Sequence, residues 1–452
     1  MEQLLALKNK MGLLQNAFLL FLVGCAVGYI AMSFAGASAG AFDPASIDTG
    51  DTAWMLASSA LVMIMTPALG FFYGGMVSSK NVVSVIKQTV VILALVSVQW
   101  VVIGYTLAFG TDVSGLIGGL NYLGLRDVGF APNVDYAATI PHLVFMIFQA
   151  MFAIITPALI IGAFVGRMRF STLIVFTLLW VTLVYDPIAH WVWGVGGWIR
   201  TIGALDFAGG TVVHMSAGFS ALAAAILVGK RLEQTNGESA NNVPFVILGA
   251  VLLWFGWFGF NAGSALASSA LAASAFVVTN TAAAAAALTW VALSWIEKKK
   301  PSAMAAAIGA VCGLVAITPA SGYVGPIASI SIGIIAGVIT YVAVYIRSRK
   351  MKIDDTLDVW AAHGVGGLAG AVLTGFFAEK AINAAGNNGA LFGNPEQLAI
   401  QLIAVLAVGL YAFVVTYILL KLISFVMPLR VTSADEHEGL DKSSHGEEGY
   451  RF

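Results

Sequence analysis

The sequence has 452 residues, of which 59% are hydrophobic and 10% are charged. Soluble domains carry about 25% charged residues, so this chain lacks the polar surface that a soluble protein of its length needs. Its formal net charge of −1 provides no general attraction for polyanions. These figures exclude a soluble multidomain enzyme and a nucleic-acid-binding protein that depends on a basic surface.

The first 39 residues have the order of features found in secretory signal peptides. Lys8 and Lys10 precede an apolar run from about residue 17 to 34, and small residues follow at 37–39. This order of charged, apolar and small residues predicts a signal peptide over residues 1–39. The apolar run is also long enough for a retained helix, so an extra N-terminal helix is the alternative.

Beyond residue 50, long apolar runs alternate with short polar links. A membrane-spanning helix needs about 20 apolar residues, whereas the strands of a membrane barrel alternate apolar and polar residues. The runs therefore predict an all-α, polytopic membrane protein, with a membrane domain over residues 50–428 and a polar tail over 429–452. Eleven transmembrane helices are expected, at about 54–76, 82–109, 139–165, 171–193, 206–228, 243–263, 271–296, 303–320, 326–347, 359–378 and 397–427.

The basic residues test this helix count. When the links between helices are numbered in order, the odd links hold most of the Lys and Arg residues. Cytoplasmic links of membrane proteins are enriched in these residues, so the odd links and the C-terminal tail are expected in the cytoplasm. The odd links contain Lys80, Arg167, Arg169, Lys230, Arg231, Lys298, Lys299, Lys300, Arg347, Arg349, Lys350 and Lys352, and the even links contain Arg126, Arg200 and Lys380.

Two histidines within predicted spans are candidates for function, because ionisable residues are rare inside membranes. His214 lies in the fifth helix and His363 in the tenth, and each follows an aspartate, Asp206 or Asp355, by eight residues. Helices five apart run in opposite directions, and eight helical residues span about 12 Å. The spacing predicts a five-plus-five inverted repeat with both histidines at its centre. Two unrelated buried histidines are the alternative.

The types of these residues indicate what each could do. A neutral imidazole offers one hydrogen-bond donor and one acceptor, so His214 and His363 could share a proton and still contact a small molecule. Asp206 stands at the start of a helix, where a carboxylate accepts bonds from free N–H groups. We therefore expect Asp206 to have a structural role.

Several long motifs, in order along the chain, resemble those of the ammonium transporter family (Amt/MEP/Rh), and especially its bacterial Amt members. The resemblance extends from about residue 50 to the C-terminus. It rests on Gly-Phe-Phe-Tyr-Gly-Gly-Met-Val at 70–77 with Lys80 and Asn81, Phe148-Gln149 with Phe152 and Thr156, Asp-Phe-Ala-Gly-Gly-Thr-Val-Val-His at 206–214, Trp-Phe-Gly-Phe-Asn-Ala-Gly-Ser at 257–264, and Asp354, Asp355 and Asp358 with His363.

The resemblance implies roles for individual side chains. Phe152, Trp193 and Ser264 match the family's outer cation-recruitment site, and Phe152 and Phe260 match its stacked phenylalanine gate. The chain departs from the family pattern after Trp193, where it is one residue longer than the bacterial members. It also has Trp360 where the family usually has Phe.

The resemblance also implies the remaining features of the protein. His214 and His363 match the family's twin pore histidines. We expect a homotrimer in a bacterial inner membrane, without a cofactor, a bound metal or a nucleic-acid partner. The tail, 429–452, is similar to the segment through which bacterial Amt proteins contact PII nitrogen-regulatory proteins.

The expected function is ammonium transport, in which ammonium is recruited outside, loses a proton and crosses as ammonia. Three other functions are open at this point. The first is a sensor that binds ammonium without conducting it. The second is a redox protein with haem on the two histidines. The third is a sodium-coupled carrier, for which Asp186 is the best acidic residue within a span.

Overall fold

The computed structural model describes residues 43–232 and 240–450, so the prediction for residues 1–39 lies outside the described part. In that part, ten helices are long and apolar enough to cross a membrane. They are α1 Thr49–Met76, α2 Ser79–Phe109, α3 His142–Ala163, α4 Phe170–Thr201, α5 Gly210–Val228, α6 Val243–Ala262, α7 Ala270–Lys298, α9 Pro326–Met351, α10 Trp360–Phe377 and α11 Glu396–Val426, and α8 is the shorter apolar helix Ala303–Ile317.

The remaining elements are short. Two strands, β1 (Asp112–Val113) and β2 (Ile117–Gly118), form an antiparallel pair in the link after α2. After α11, the tail contains α12 (Ser433–Glu438) and α13 (Leu440–His445). The protein is therefore mostly helical, and its ten long apolar helices are those of a multi-pass membrane protein.

The boundary error that matters most for the histidines concerns α5, which was predicted to begin at residue 206. It begins at Gly210, because Gly209 has a φ of 108°, a left-handed conformation that glycine adopts readily. Asp206 therefore lies before the helix, and His214 lies near its start instead of in its middle. The assumption of eight helical residues between each aspartate and its histidine is wrong, since α10 also begins late, at Trp360.

The eighth predicted segment, 303–320, is helical over 15 residues. The helix begins after Ser302, whose side chain accepts a hydrogen bond from the Ala305 N–H at 3.3 Å. It ends at Ile317, two residues before Pro319, which has no N–H to continue the helical ladder. Its length falls short of a typical membrane span, so the count of eleven transmembrane helices stays a prediction.

Contacts between the links divide them into two groups. Asp354, which precedes α10, accepts from Arg167 and Arg231 at 2.9 Å each, and Lys80 donates to the His437 carbonyl at 2.6 Å. The Leu232 N–H also donates to Glu436 of the tail at 2.8 Å, so the first, third, fifth and ninth links and the tail lie at one face. Backbone bonds from Asp48 to Thr139 (2.8 Å), Phe207 to Pro319 (3.1 Å) and Glu379 to Tyr323 (2.8 Å) connect links at the other face.

α5 and α10 cross in contact at glycines. A Cβ added to Gly218 would lie 2.0 Å from the Gly364 nitrogen, and one added to Gly367 would lie 3.0 Å from the His214 Cβ. Residue numbers increase along α5 while the numbers of the contacting residues decrease along α10, so the two helices are antiparallel. The absent side chains let two backbones approach closely, as small residues do in membrane helix pairs.

Candidate functional site

His214 and His363 lie side by side at the centre of the bundle. Their Nδ1 atoms are 3.3 Å apart, their ring centroids are 5.3 Å apart, and the residues are 1% and 4% exposed. Two nitrogens at this distance share one hydrogen, so one ring is protonated at Nδ1 and the other accepts there. If both rings are neutral, the pair then has one Nε2–H and one Nε2 lone pair left for a third molecule.

Both histidines lie in π-helical turns, Gly210–Met215 in α5 and Trp360–Val365 in α10. Such wide turns are rare in proteins and are frequent at functional sites. The extra residue in each turn rotates the side chains relative to a regular α-helix. The two imidazoles meet across the α5–α10 crossing.

Asp206 holds the first turn of α5. Its carboxylate accepts the N–H groups of Gly209, Gly210 and Thr211 at 2.7–2.8 Å and of Val212 at 3.3 Å, together with the Thr211 hydroxyl. Burial raises the pKa of Asp206, and the Thr211, Gly209 and Gly210 donors oppose that rise. Four of these contacts are N–H groups, which can only donate, so the arrangement favours the carboxylate form of Asp206.

Asp355 stands in the same relation to His363 as Asp206 does to His214, although it makes fewer bonds. Its oxygens accept the N–H groups of Val359 at 3.1 Å and Trp360 at 2.8 Å. Burial, followed by the nearby charge of Asp358, raises the pKa of Asp355 to about 7. Each histidine thus follows a helix start that is fixed by a buried carboxyl group.

The histidines border a small cavity whose other walls are apolar. Trp257 and Phe260 stack against His214, with ring centroids at 5.3 Å and 5.8 Å. The Trp257 indole donates to Thr318 at 2.9 Å, which fixes its plane. Besides His214 and His363, the residues that line the cavity are Met65, Leu69, Ile155, Leu159, Val213, Leu253, Trp257, Phe260 and Val311.

Three residues of the predicted recruitment site and gate, Phe152, Phe260 and Trp193, are in ring contact, and Phe260 also lines the cavity. Phe152 contacts Phe260, with centroids 4.3 Å apart, and meets Trp193 edge-on at 5.7 Å. The Trp193 indole donates to the Asp206 carbonyl at 3.0 Å. The Ser264 hydroxyl donates to the Phe260 carbonyl at 2.9 Å, so its lone pairs stay available as acceptors. A continuous series of rings thus connects Trp193 to His214.

The two departures from the family pattern have local consequences. The additional residue after Trp193 lies at the surface, where the Val195 N–H donates to the Tyr136 hydroxyl at 3.1 Å. Trp360 lies on the turn that carries His363, and its indole N–H is buried without a hydrogen-bond partner among the described residues. Its Cδ1 lies 3.1 Å from where a Cβ on Gly364 would be, so it packs against the helix crossing.

An ion cluster at the face of the odd links anchors the segment before α10. Arg167 is fully buried, binds Asp354 and donates to the Gly229 carbonyl at 2.9 Å. Burial alone would raise the pKa of Asp354, but Arg231 and Arg167 hold it below its ordinary value. The cluster fixes the start of the segment that ends at His363.

Comparison with known proteins gives the family. A family model described as the Ammonium Transporter Family matches residues 53–450. The chain belongs to the Ammonium Transporter Family. It is 49% identical over 402 residues to an ammonium transporter of Bacillus subtilis, with 89% of this chain and 98% of the relative covered.

Solved structures of the family share this fold. Candida albicans Mep2 is 37% identical, with a TM-score of 0.81 and coverage of 86% of this chain and 88% of that chain. A structure described as a sensor Amt protein is 31% identical, with a TM-score of 0.80 and coverage of 88% and 98%. The resemblance read from the motifs is confirmed.

Sequence analysis missed some of the residues around the histidines. Trp257 stood within a quoted motif, but its contact with His214 was not predicted. Its spacing of three residues from Phe260 places both rings on one helix face, and this is the pattern that could have indicated it. The aliphatic lining had no such pattern, because Leu and Val also fill lipid-facing and buried positions throughout the chain.

Proposed function

We propose that this protein transports ammonium across a membrane, recruiting it at Phe152, Trp193 and Ser264 and conducting ammonia past His214 and His363. The single observation that carries the proposal is the paired imidazole contact at 3.3 Å inside an otherwise apolar cavity. The relatives are named ammonium transporters, which supports the same substrate for this chain.

The recruitment site suits a small cation that can donate hydrogen bonds. A cation over an aromatic ring is stabilised by about 0.5–2 kcal/mol, and Trp193 and Phe152 offer two rings at right angles to each other. The free lone pairs of Ser264 accept an N–H from ammonium. Potassium has no hydrogen to donate, so the site favours ammonium through a directional hydrogen bond and not through ionic size.

Beyond Phe152 and Phe260, the apolar cavity favours a neutral species. Moving a bare cation into a medium of low dielectric constant costs on the order of 20 kcal/mol in the idealised limit. Ammonia avoids most of this cost, and His214 and His363 supply one donor and one acceptor for it. The nitrogen therefore crosses as ammonia, and the proton moves separately along the histidine pair.

Current recording from proteoliposomes tests this proposal. We expect a jump in ammonium concentration to evoke a current from wild-type protein, and an equal jump in potassium to evoke none. In Ser264→Ala with Trp193→Leu, the loss of one ring and one acceptor, about 1–3 kcal/mol in all, should raise the half-saturating ammonium concentration about 5- to 150-fold. Methylammonium uptake is measured in parallel, with Arg126→Gln, which lies away from these residues, as the matched control.

The outcomes of this experiment separate the competing functions. Methylammonium uptake without current would mean electroneutral conduction, which contradicts the separate movement of the proton. Binding with neither uptake nor current would mean a sensor, a role that the sensor Amt relative makes relevant. The contact between the two Nδ1 atoms at 3.3 Å argues against the haem alternative, because it leaves no room for an iron between these atoms.

We propose the finer architecture on the same basis. All eleven helices cross the membrane in a five-plus-five inverted repeat, which the antiparallel α5–α10 contact and the paired aspartates support. The transport domain is residues 50–428, and three copies of the chain assemble. The basic links face the cytoplasm of a bacterial cell.

We propose that the tail, 429–452, is a regulatory segment contacted by a PII protein. The tail is docked on the odd-link face: the Asp441 carboxylate accepts the N–H groups of Val83 at 3.0 Å and Ser84 at 2.7 Å. The Tyr450 hydroxyl donates to Asn241 at 3.0 Å. A partner that binds this face can therefore reach the ends of several helices at once.

A pull-down with the purified full-length protein tests this partner. We expect retention of a PII protein at low 2-oxoglutarate concentration and loss of retention when residues 429–452 are deleted. Equal retention by the full-length and truncated proteins would contradict a tail-dependent contact. The Asp441→Asn variant weakens the cap on α2 but keeps the whole tail. It therefore tests whether retention of the PII protein requires a docked tail or only the presence of the tail.

A further inference from the structure

A polar pair lies buried between α2 and α4, outside the cavity that the histidines border. Gln99 is 3% exposed and Asp186 is 0% exposed, and the amide Nε2 of Gln99 donates to Asp186 Oδ2 at 3.0 Å. Within residues 43–232 and 240–450, no salt bridge reaches Asp186. A carboxylate at this depth would therefore be an uncompensated charge in the membrane interior, which costs several kcal/mol.

The hydrogen bonds around the Gln99 amide fix its orientation. Nε2 has two hydrogens, and it donates one to Asp186 and the other to the Thr182 hydroxyl oxygen at 3.1 Å. Thr182 uses its own hydrogen on the Leu178 carbonyl at 2.9 Å, so it acts as an acceptor toward Gln99. The amide nitrogen therefore faces Asp186 Oδ2 and Thr182, and the amide oxygen is left as an acceptor.

Two oxygens of this pair are left without partners. Asp186 Oδ1 and Gln99 Oε1 are both buried and make no hydrogen bond to the described residues. A buried acceptor without a partner destabilises the folded protein, because it has lost its hydrogen bonds to water. An ionised Asp186 leaves both oxygens unpaired, because it contributes acceptors alone. A protonated Asp186 contributes one donor, and a donor on Oδ1 satisfies both oxygens at once.

We propose that Asp186 is a neutral carboxylic acid in the folded protein and forms a two-bond pair with the Gln99 amide. In this pair, the Gln99 N–H donates to Oδ2, and the proton on Oδ1 is donated to Gln99 Oε1. The ligand of the site is one proton, taken from water when the carboxyl group is buried. The site joins α2 to α4 inside the membrane and carries no net charge.

The local backbone makes room for the pair. A π-helical turn, Trp100–Gly104, follows Gln99 directly, and another, Val181–Tyr185, directly precedes Asp186. A Cβ added to Gly104 would lie 2.6 Å from Gln99 Oε1 and 2.9 Å from the Trp100 ring. Gly104 therefore leaves the space in which the amide oxygen lies, and a larger residue would displace the amide.

Asp206 shows the opposite arrangement in the same protein. Five N–H and O–H donors point at its two oxygens, including Gly209, Gly210 and Thr211. A carboxylate accepts all of them, whereas Asp186 receives a single donor from Gln99. The number of donors thus predicts an ionised Asp206 and a protonated Asp186.

Infrared difference spectroscopy on the detergent-solubilised full-length protein tests the protonation state. We expect the carbonyl band of a protonated carboxylic acid in the wild type at about pH 9, where Asp355, with its pKa of about 7, is ionised, and loss of this band in Asp186→Asn. Asp112→Asn, which removes a partly exposed carboxylate, should leave the band unchanged. Absence of the band from the wild type, or its persistence in Asp186→Asn, would overturn the proposal.

Thermal unfolding measurements test whether a proton, and not a metal cation, occupies the site at Asp186. Asn at 186 keeps two hydrogen bonds to Gln99 as an amide–amide pair, so Asp186→Asn should retain the thermal unfolding midpoint and the ammonium current. Asp186→Leu leaves the amide without its partner and should lower the midpoint. Equal midpoints for Asn and Leu, loss of current in a folded Asp186→Asn, or stabilisation of the wild type by sodium chloride over choline chloride would each overturn the proposal.

Discussion

Replacing both His214 and His363 with Leu should abolish selective ammonium transport. In the apolar cavity, the pair supplies the hydrogen-bond partners that a passing ammonia molecule has lost from water. Each such bond, made in a dry environment and not replaced, is worth about 1.5–3 kcal/mol. Two lost bonds raise the barrier by about 3–6 kcal/mol, so ammonium-evoked current should fall about 10²- to 10⁴-fold.

The matched control for this experiment is another buried histidine. His142 is 4% exposed and bonds the Tyr105 hydroxyl at 2.5 Å, but it does not line the cavity. His142→Gln, which keeps a hydrogen-bonding group, should retain the current. Unchanged current and unchanged potassium exclusion in a folded His214→Leu, His363→Leu double variant would defeat the role proposed for the pair.

The membrane-spanning helices were the most predictable part of the fold. A run of about 20 apolar residues is typical of a membrane-spanning helix. Each predicted segment coincides with a helix of the structure. The ends were less predictable, because single residues decide them. Gly209 delays the start of α5, and Pro319 follows the end of α8. As a result, His214 lies in a π-helical turn near a helix start. The spacing of apolar residues does not indicate such a turn.

The proximity of His214 and His363 was also predictable, because their matched aspartates implied equivalent positions on antiparallel helices. The contacts of residues whose partners lie far away in the sequence were not predictable. Arg167 was counted as one basic residue of a cytoplasmic link, yet it is fully buried beside Asp354, 187 positions away. Asp186 was identified as the best acidic residue within a span, but its partner Gln99, 87 positions earlier, belonged to no motif.

The contacts of the C-terminal tail also could not be predicted from its sequence. Its polar, charged composition is typical of a solvated chain end. In the structure, Leu440 and Asp441 are 2% and 3% exposed, because Asp441 caps the start of α2 and Leu440 bonds Asn81 at 2.9 Å. Composition describes a segment by itself, whereas docking depends on free N–H groups at a helix end elsewhere in the chain.

Asp206→Asn should strongly destabilise the folded protein. An Asn side chain has one acceptor oxygen, so it cannot satisfy the donors that now share the two oxygens of Asp206. Its NH₂ group would also face the N–H groups of one pair, such as Gly209 and Gly210. Two buried donors left unpaired cost about 1–3 kcal/mol each, or about 2–6 kcal/mol in total. The thermal unfolding midpoint in detergent should fall accordingly.

The same substitution should reduce transport beyond its effect on stability. The Asp206 carbonyl holds the Trp193 indole at 3.0 Å, and its carboxylate holds the turn that begins the helix of His214. Displacing this one residue therefore disturbs both the recruitment site and the histidine pair. Asp48→Asn is the matched control, because Asp48 caps α1 at an exposed position, where Asn is an equally good cap. Equal stability and equal current in the two variants would show that Asp206 fixes neither part of the path.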